Sequence, residues 1–90
     1  MSRTIDSQDE ELLKRHIGKY IMFDYIKVGK FSKKVTGNFV NGRLRKVRKY
    51  PFIPHPFITV ESEGKDGSCK KRVFYTGNIP KYGIEVWYNV

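Results

Sequence analysis

From Tyr20 onward the apolar residues come in short runs, and each run ends at residues that stop a strand. The breaks are Gly29, Asn41-Gly42, the prolines at 51, 54 and 56, a polar 64–67 segment with two glycines, and a 76–80 segment ending in Pro80. Runs of this length that alternate apolar and polar residues fit strands, and Gly, Pro and Asn mark the turns between them. Ninety residues leave room for one small core, so residues 1–90 read as a single domain. The hydrophobic share of 39%, with 14% aromatic, is enough to fill that core.

The first 18 residues differ from the rest. Residues 1–6 read as a loose lead-in. Ser7-Gln8-Asp9-Glu10 fits a capping box with Ser7 as N-cap. Acidic residues fill the first turn, while Lys14, Arg15 and His16 fill the last, which suits the helix dipole at both ends. Gly18 sits where a helix stops. This predicts a short helix over residues 8–17 with Leu12, Leu13 and Ile17 on its apolar edge, followed by β structure over 19–90.

In that β region, strand 20–28 is mostly apolar on both faces. Asp24 is the only acid between Leu12 and Val60 and is expected to pair with a neighbouring cation. After a turn at 29–32, a second strand covers 33–40, with Gly37 as a bulge or bend. Asn41-Gly42 predicts a type I′ hairpin, which needs positive φ at both positions. A two-residue loop there sets Val40 opposite Arg43, Phe39 opposite Leu44 and Asn38 opposite Arg45. Leu44 and Val47 are three apart, so a bulge between them would return Val47 to the core.

Three prolines within 51–56 forbid a central strand and favour an extended loop. Strands over 57–63 and 68–75 form a further hairpin, bringing Lys70, Lys71 and Arg72 near Glu61 and Glu63. One 3₁₀ turn is expected within 76–80. A last strand over 84–88 puts Ile84, Val86 and Tyr88 on one side and Glu85 and Trp87 on the other. The fold class is therefore mainly β with one short N-terminal helix.

This order of a leading helix, a long strand, a glycine-containing strand, hairpins, a one-turn connection and a short final strand resembles the small SH3-like barrels, and among them the Sm-like arrangement. The resemblance implies a five- to six-stranded antiparallel barrel, with Gly37 as the bend of its second strand and 76–80 as the turn before its last. It also implies a fold that serves RNA, DNA or peptide binding, and it carries no binding residues over to this chain.

Charge is concentrated in one place. Residues 27–49 hold nine Lys and Arg and no acid, a charge equal to the net +9 of the whole chain. A pI near 9.8 points to nucleic acid, an anionic membrane or an acidic protein. The membrane is disfavoured because the cations fall on strands, not on a basic amphipathic helix. The longest apolar run, Tyr20-Ile21-Met22-Phe23, is also far short of a span. The acidic start is the opposite of a signal peptide, and the single Cys69 forms no internal disulfide. A cytoplasmic location is expected.

The favoured function is a small regulatory nucleic-acid-binding protein, for RNA or DNA, that holds phosphates through Lys30, Lys33, Lys34, Arg43, Arg45, Lys46, Arg48 and Lys49. Arg43 and Arg45, beside the hairpin tip, are placed to enter a groove. Tyr50 lies next to the cations and can stack on a base, as can Phe31 and Phe52. The alternative is a protein-binding adaptor or inhibitor of the kind a phage or mobile element encodes. It would present Phe52, Ile53 and His55 to an acidic host protein.

Catalysis is not expected. His16, His55 and Cys69 are far apart in the sequence and have no metal-ligand or nucleophile spacing. No glycine motif cradles a phosphate. Glu61 and Glu63 read as cross-strand partners of lysines. No catalytic residue, metal or cofactor is assigned.

Overall fold

The computed structural model describes residues 2–28 and 35–88. Its elements are β1 (Ser2–Ile5), α1 (Glu10–Arg15), β2 (Tyr20–Val28), β3 (Val35–Arg48), β4 (Phe57–Glu63), β5 (Cys69–Tyr75), a 3₁₀ turn (Thr76–Asn78) and β6 (Ile84–Trp87). The six antiparallel strands form one sheet in the order β1-β6-β2-β3-β4-β5.

That sheet is open, and the expected closed barrel is not formed. β1 and β5 are its two edges, and no pairing among the described residues joins them. Two features explain this. β6 is short and meets β2 only over Tyr20–Met22, so the β1–β6 flap has little reach. On β5, Arg72 lies opposite the buried Val60, and its guanidinium rests 5.2 Å from the centre of the Phe74 ring. A charged group therefore covers the apolar side of the sheet where a closing strand would pack.

The largest departure from the sequence reading is β3. Asn41-Gly42 makes no turn, and a single 14-residue strand runs through it. Val35 to Arg43 pair with β2, and Arg43 to Arg48 pair with β4. The expected facings are replaced: Phe39 lies opposite Asp24, Val40 opposite Phe23, and Arg43 between Tyr20 and Glu61. No residue other than glycine has positive φ among the described residues, so Asn41 lacks the backbone that a type I′ turn needs.

Gly42 has a different use. It sits at φ 156°, and a Cβ on it would meet the Glu61 carbonyl oxygen at 2.5 Å and Val60 Cγ1 at 2.8 Å. Glycine here allows the close approach of β4, whereas the bulge or bend expected at Gly37 is not seen. Pairing passes Gly37 opposite Ile26 with no shift of register. The bulge expected near Leu44 is present, with a register shift between Leu44 and Lys46. It lets Leu44 be fully buried while Val47, three residues on, packs against the same core.

The N-terminal region also differs from expectation. Residues 2–5 are a strand paired to β6, and Ile5 joins the core. The helix is shorter than residues 8–17, and its N-cap is Asp9, whose carboxylate accepts from the Leu12 amide at 3.2 Å. Ser7 is buried instead, where its hydroxyl donates to the Pro80 carbonyl at 2.9 Å and its amide to Lys81 at 2.7 Å. The helix ends earlier than the stop expected at Gly18, at Arg15 with His16 as C-cap; Gly18 takes φ 94° in the turn that follows, and its amide donates to the Leu44 carbonyl at 2.6 Å. Leu13 is buried, whereas Ile17 is exposed.

One core cluster holds the elements together, built from Ile5, Leu13, Ile21, Phe23, Leu44, Ile58, Val60, Phe74, Ile79, Ile84 and Val86. β4, β5 and β6 lie within a residue of their sequence-predicted spans, and the 3₁₀ turn falls inside 76–80. Among the described residues, no helix is long and apolar enough to cross a membrane.

Candidate nucleic-acid interface

Side chains alternate across a strand, so the residues between the core positions of β3, β4 and β5 share the outer face. Ile58, Val60 and Phe74 face the core, which leaves Phe57, Thr59 and Glu61 of β4 and Lys71, Val73 and Tyr75 of β5 outside. On β3 the bulge resets the alternation, and Lys46 and Arg48 emerge on this same face beside Thr59 and Phe57.

The registers align these residues in rows across three strands. Arg48 lies opposite Phe57, which lies opposite Tyr75. Lys46 lies opposite Thr59, which lies opposite Val73. Arg43 lies opposite Glu61, which lies opposite Lys71. Arg48 and Phe57 of the first row, all three residues of the second, and Tyr50 line an open groove of about 390 Å³. Tyr50 meets Phe57 edge-on at 5.6 Å, and Phe57 meets Tyr75 at 5.0 Å. The side chains of Lys46 and Arg48 make no ion pair or hydrogen bond with a described residue, and no carboxylate lines the groove. Lys49, at the same end, donates from Nζ to the Tyr50 carbonyl at 3.1 Å.

The third row opens into a second recess of about 500 Å³ with a different balance. Arg43 and Arg45 line it together with Glu61 and Glu63. Arg43 Nη1 donates to the Gly18 carbonyl at 3.1 Å, which ties β3 to the end of the helical segment. Glu61 is shared, with one oxygen 3.4 Å from Arg45 Nη2 and the other 3.9 Å from Lys71 Nζ. The expected neutralisation of the β5 lysines by cross-strand acids is therefore seen at Lys71, and it extends to Arg45.

The sequence-assigned residues thus fall into three groups. Lys46, Arg48, Lys49 and Tyr50 come together at the groove, and Arg43 and Arg45 gather at the recess. Lys30, Lys33 and Lys34, with Phe31 and the 29–32 turn, lie outside the described residues. Arg43 and Arg45 do not flank a hairpin tip, because they sit in the middle of a paired strand. Asp24 is exposed and makes no ion pair with a described residue, contrary to expectation. Phe57, Thr59, Val73 and Tyr75 were missed by the sequence reading. The signal for them was the alternation of β4 and β5 around the apolar Ile58, Val60 and Phe74.

The 49–56 loop leaves this end of the sheet. Phe52 at its tip is 99% exposed, whereas Ile53 and His55 are half-buried and His55 lies 6.1 Å from the Tyr75 ring. Of the three residues proposed to meet a protein, Phe52 is the one fully presented. Among the described residues, no group of three His, Cys, Asp or Glu side chains is placed to hold a metal. Cys69 is exposed and unbonded at the start of β5. No family model, curated protein or solved structure matches the chain.

Proposed function

We propose that this protein is a nucleic-acid-binding module, not an enzyme, and that it holds phosphates on the outer face of β3, β4 and β5. The observation that carries this is the pairing state of the cations. Lys46 and Arg48 line a groove without an acid, on a chain whose net charge is +9. Surface charge kept only for solubility is mixed in sign, and this groove is not. The strand order and the single 3₁₀ turn before β6 support relating the sheet to the small SH3-like barrels, in an open form.

Counterion release sets the expected signature. Phosphate contacts from Lys46, Arg48 and Lys49 give a log–log salt slope of about −2 to −3. Titrating labelled duplex DNA, single-stranded DNA and RNA at several salt concentrations measures it. Failure to bind any of the three at low salt would sink the proposal.

A second reading, the protein-binding adaptor, is favoured by Phe52 alone, which stands fully exposed on a proline-rich loop. Exposed aromatics of this kind serve as anchors in partner pockets. Phe52 does not line the groove, unlike the stacking position expected for it, so Phe52→Ser separates the two: it should leave nucleic-acid binding and its salt slope unchanged, while abolishing any stoichiometric complex with an acidic protein.

A further inference from the structure

The groove that holds Lys46 and Arg48 is walled by rings, and we infer that it receives the bases of an unpaired nucleic-acid strand. This deepens the nucleic-acid reading above and rests on it. The register places Arg48 beside Phe57 and Phe57 beside Tyr75, while the Tyr50 ring approaches Phe57 from the loop. Two aromatic rings, Tyr50 and Phe57, and two cations without acidic partners therefore share one open surface, and Tyr75 backs the Phe57 ring at 5.0 Å. Tyr50 is 42% exposed and Val73 is 64% exposed, so the groove keeps apolar surface in water that its own chain does not cover.

A duplex has little to offer this surface. Its bases are stacked on one another and show only their edges, at the floor of grooves that a helix or a projecting ribbon must enter. The described cations of the groove lie on a sheet face, and Arg43 and Arg45, expected at a projecting tip, lie mid-strand. An unpaired strand supplies both complements at once: phosphates for Lys46 and Arg48, and flat apolar faces for Tyr50, Phe57 and Val73. Stacking of this kind is tolerant of base identity because every base has a π-face. The recognised groups are shared by RNA and DNA strands.

The test titrates the full chain against a labelled thymidine homopolymer, a uridine homopolymer and a blunt DNA duplex of the same length, at one low salt concentration. At least one homopolymer should bind about 5-fold or more tightly than the duplex. Tyr50→Leu and Phe57→Leu should each weaken homopolymer binding by roughly 5- to 100-fold and leave duplex binding unchanged. Leucine keeps an apolar side chain at both sites, and a thermal melt confirms folding. Tyr50→Leu, at the more exposed position, decides the matter if Phe57→Leu unfolds. Duplex binding equal to or tighter than both homopolymers overturns this inference alone. So does a loss on Tyr50→Leu that is the same for all ligands, or no loss at all. Absence of binding to all three ligands overturns the nucleic-acid reading itself.

Discussion

The two recesses on the outer face of the sheet are built from the same strands and the same basic stretch, yet they are chemically opposite. At one end Lys46 and Arg48 stand beside Tyr50 and Phe57 with no carboxylate lining the groove. At the other, Arg43 and Arg45 face Glu61 and Glu63, and their side chains are engaged by the protein itself. A count of cations along residues 27–49 treats the two alike. The difference lies in which residues of β4 lie alongside: the Lys46–Arg48 end meets Thr59 and Phe57, and the Arg43 end meets Glu61. Positive charge stays available to a ligand only where the neighbouring strand leaves it unneutralised.

Gly42 is where the comparison can be broken outright, because β4 passes too close to it to leave room for a side chain. With its positive φ and the Glu61 carbonyl in the way, Gly42→Ala should destabilise the fold by roughly 3 kcal/mol or more. For a domain of this size that lowers Tm by about 12–24 °C. Thermal unfolding followed by circular dichroism measures it. A Tm within a few degrees of wild type would mean that β4 can retreat from β3, and that the separation of the two recesses is not fixed by this contact.

Gly42 also shows where the sequence was readable and where it was not. The Asn-Gly pair is the strongest local hairpin signal in the chain, and local preference lost to tertiary pairing. A hairpin there would have paired the two halves of β3 with each other. The long strand instead gives one half to β2 and the other to β4. The strands from Phe57 onward were legible because a short polar turn separates β4 from β5 and glycine with proline marks the connection to β6. The bulge was legible from the three-residue spacing of Leu44 and Val47. β1 was not, because Ser2 to Ile5 shows a single core residue, and its partner lies some eighty residues away. The cations of the groove could be named from sequence. Their aromatic neighbours could not, since the match of Arg48 to Phe57 depends on how the 49–56 loop brings β4 back.

The next largest effect sharpens the contrast between the recesses. Lys46→Ser with Arg48→Ser removes two unpaired cations and should lower the magnitude of the salt slope by about 1.4–1.8, with little change in Tm. Arg43→Ser with Arg45→Ser removes the same formal charge but should lower the slope by less than about 1. It should instead cost about 0.5–1.5 kcal/mol of stability, because the Arg43 bond to the Gly18 carbonyl is lost. Salt titrations and melts of the two double variants, run side by side, decide the point. Equal slopes would show that the recess cations bind phosphate as readily as those of the groove.

Glu61→Gln gives the smallest change and tests the cause directly. The side chain keeps its shape and loses its charge, so Arg45 and Lys71 no longer share a carboxylate. Both cations are well exposed, and such pairs contribute about 0–1 kcal/mol each, so Tm should barely move. Binding should tighten, and the salt slope should grow in magnitude by up to about 1 as the recess becomes more like the groove. A gain in affinity from removing an acid that touches neither Lys46 nor Arg48 would show that neutralisation by β4 is what sets the two ends apart. Unchanged affinity and slope would place the recess outside the bound strand's path, and the contrast would then rest on the rings at Tyr50 and Phe57.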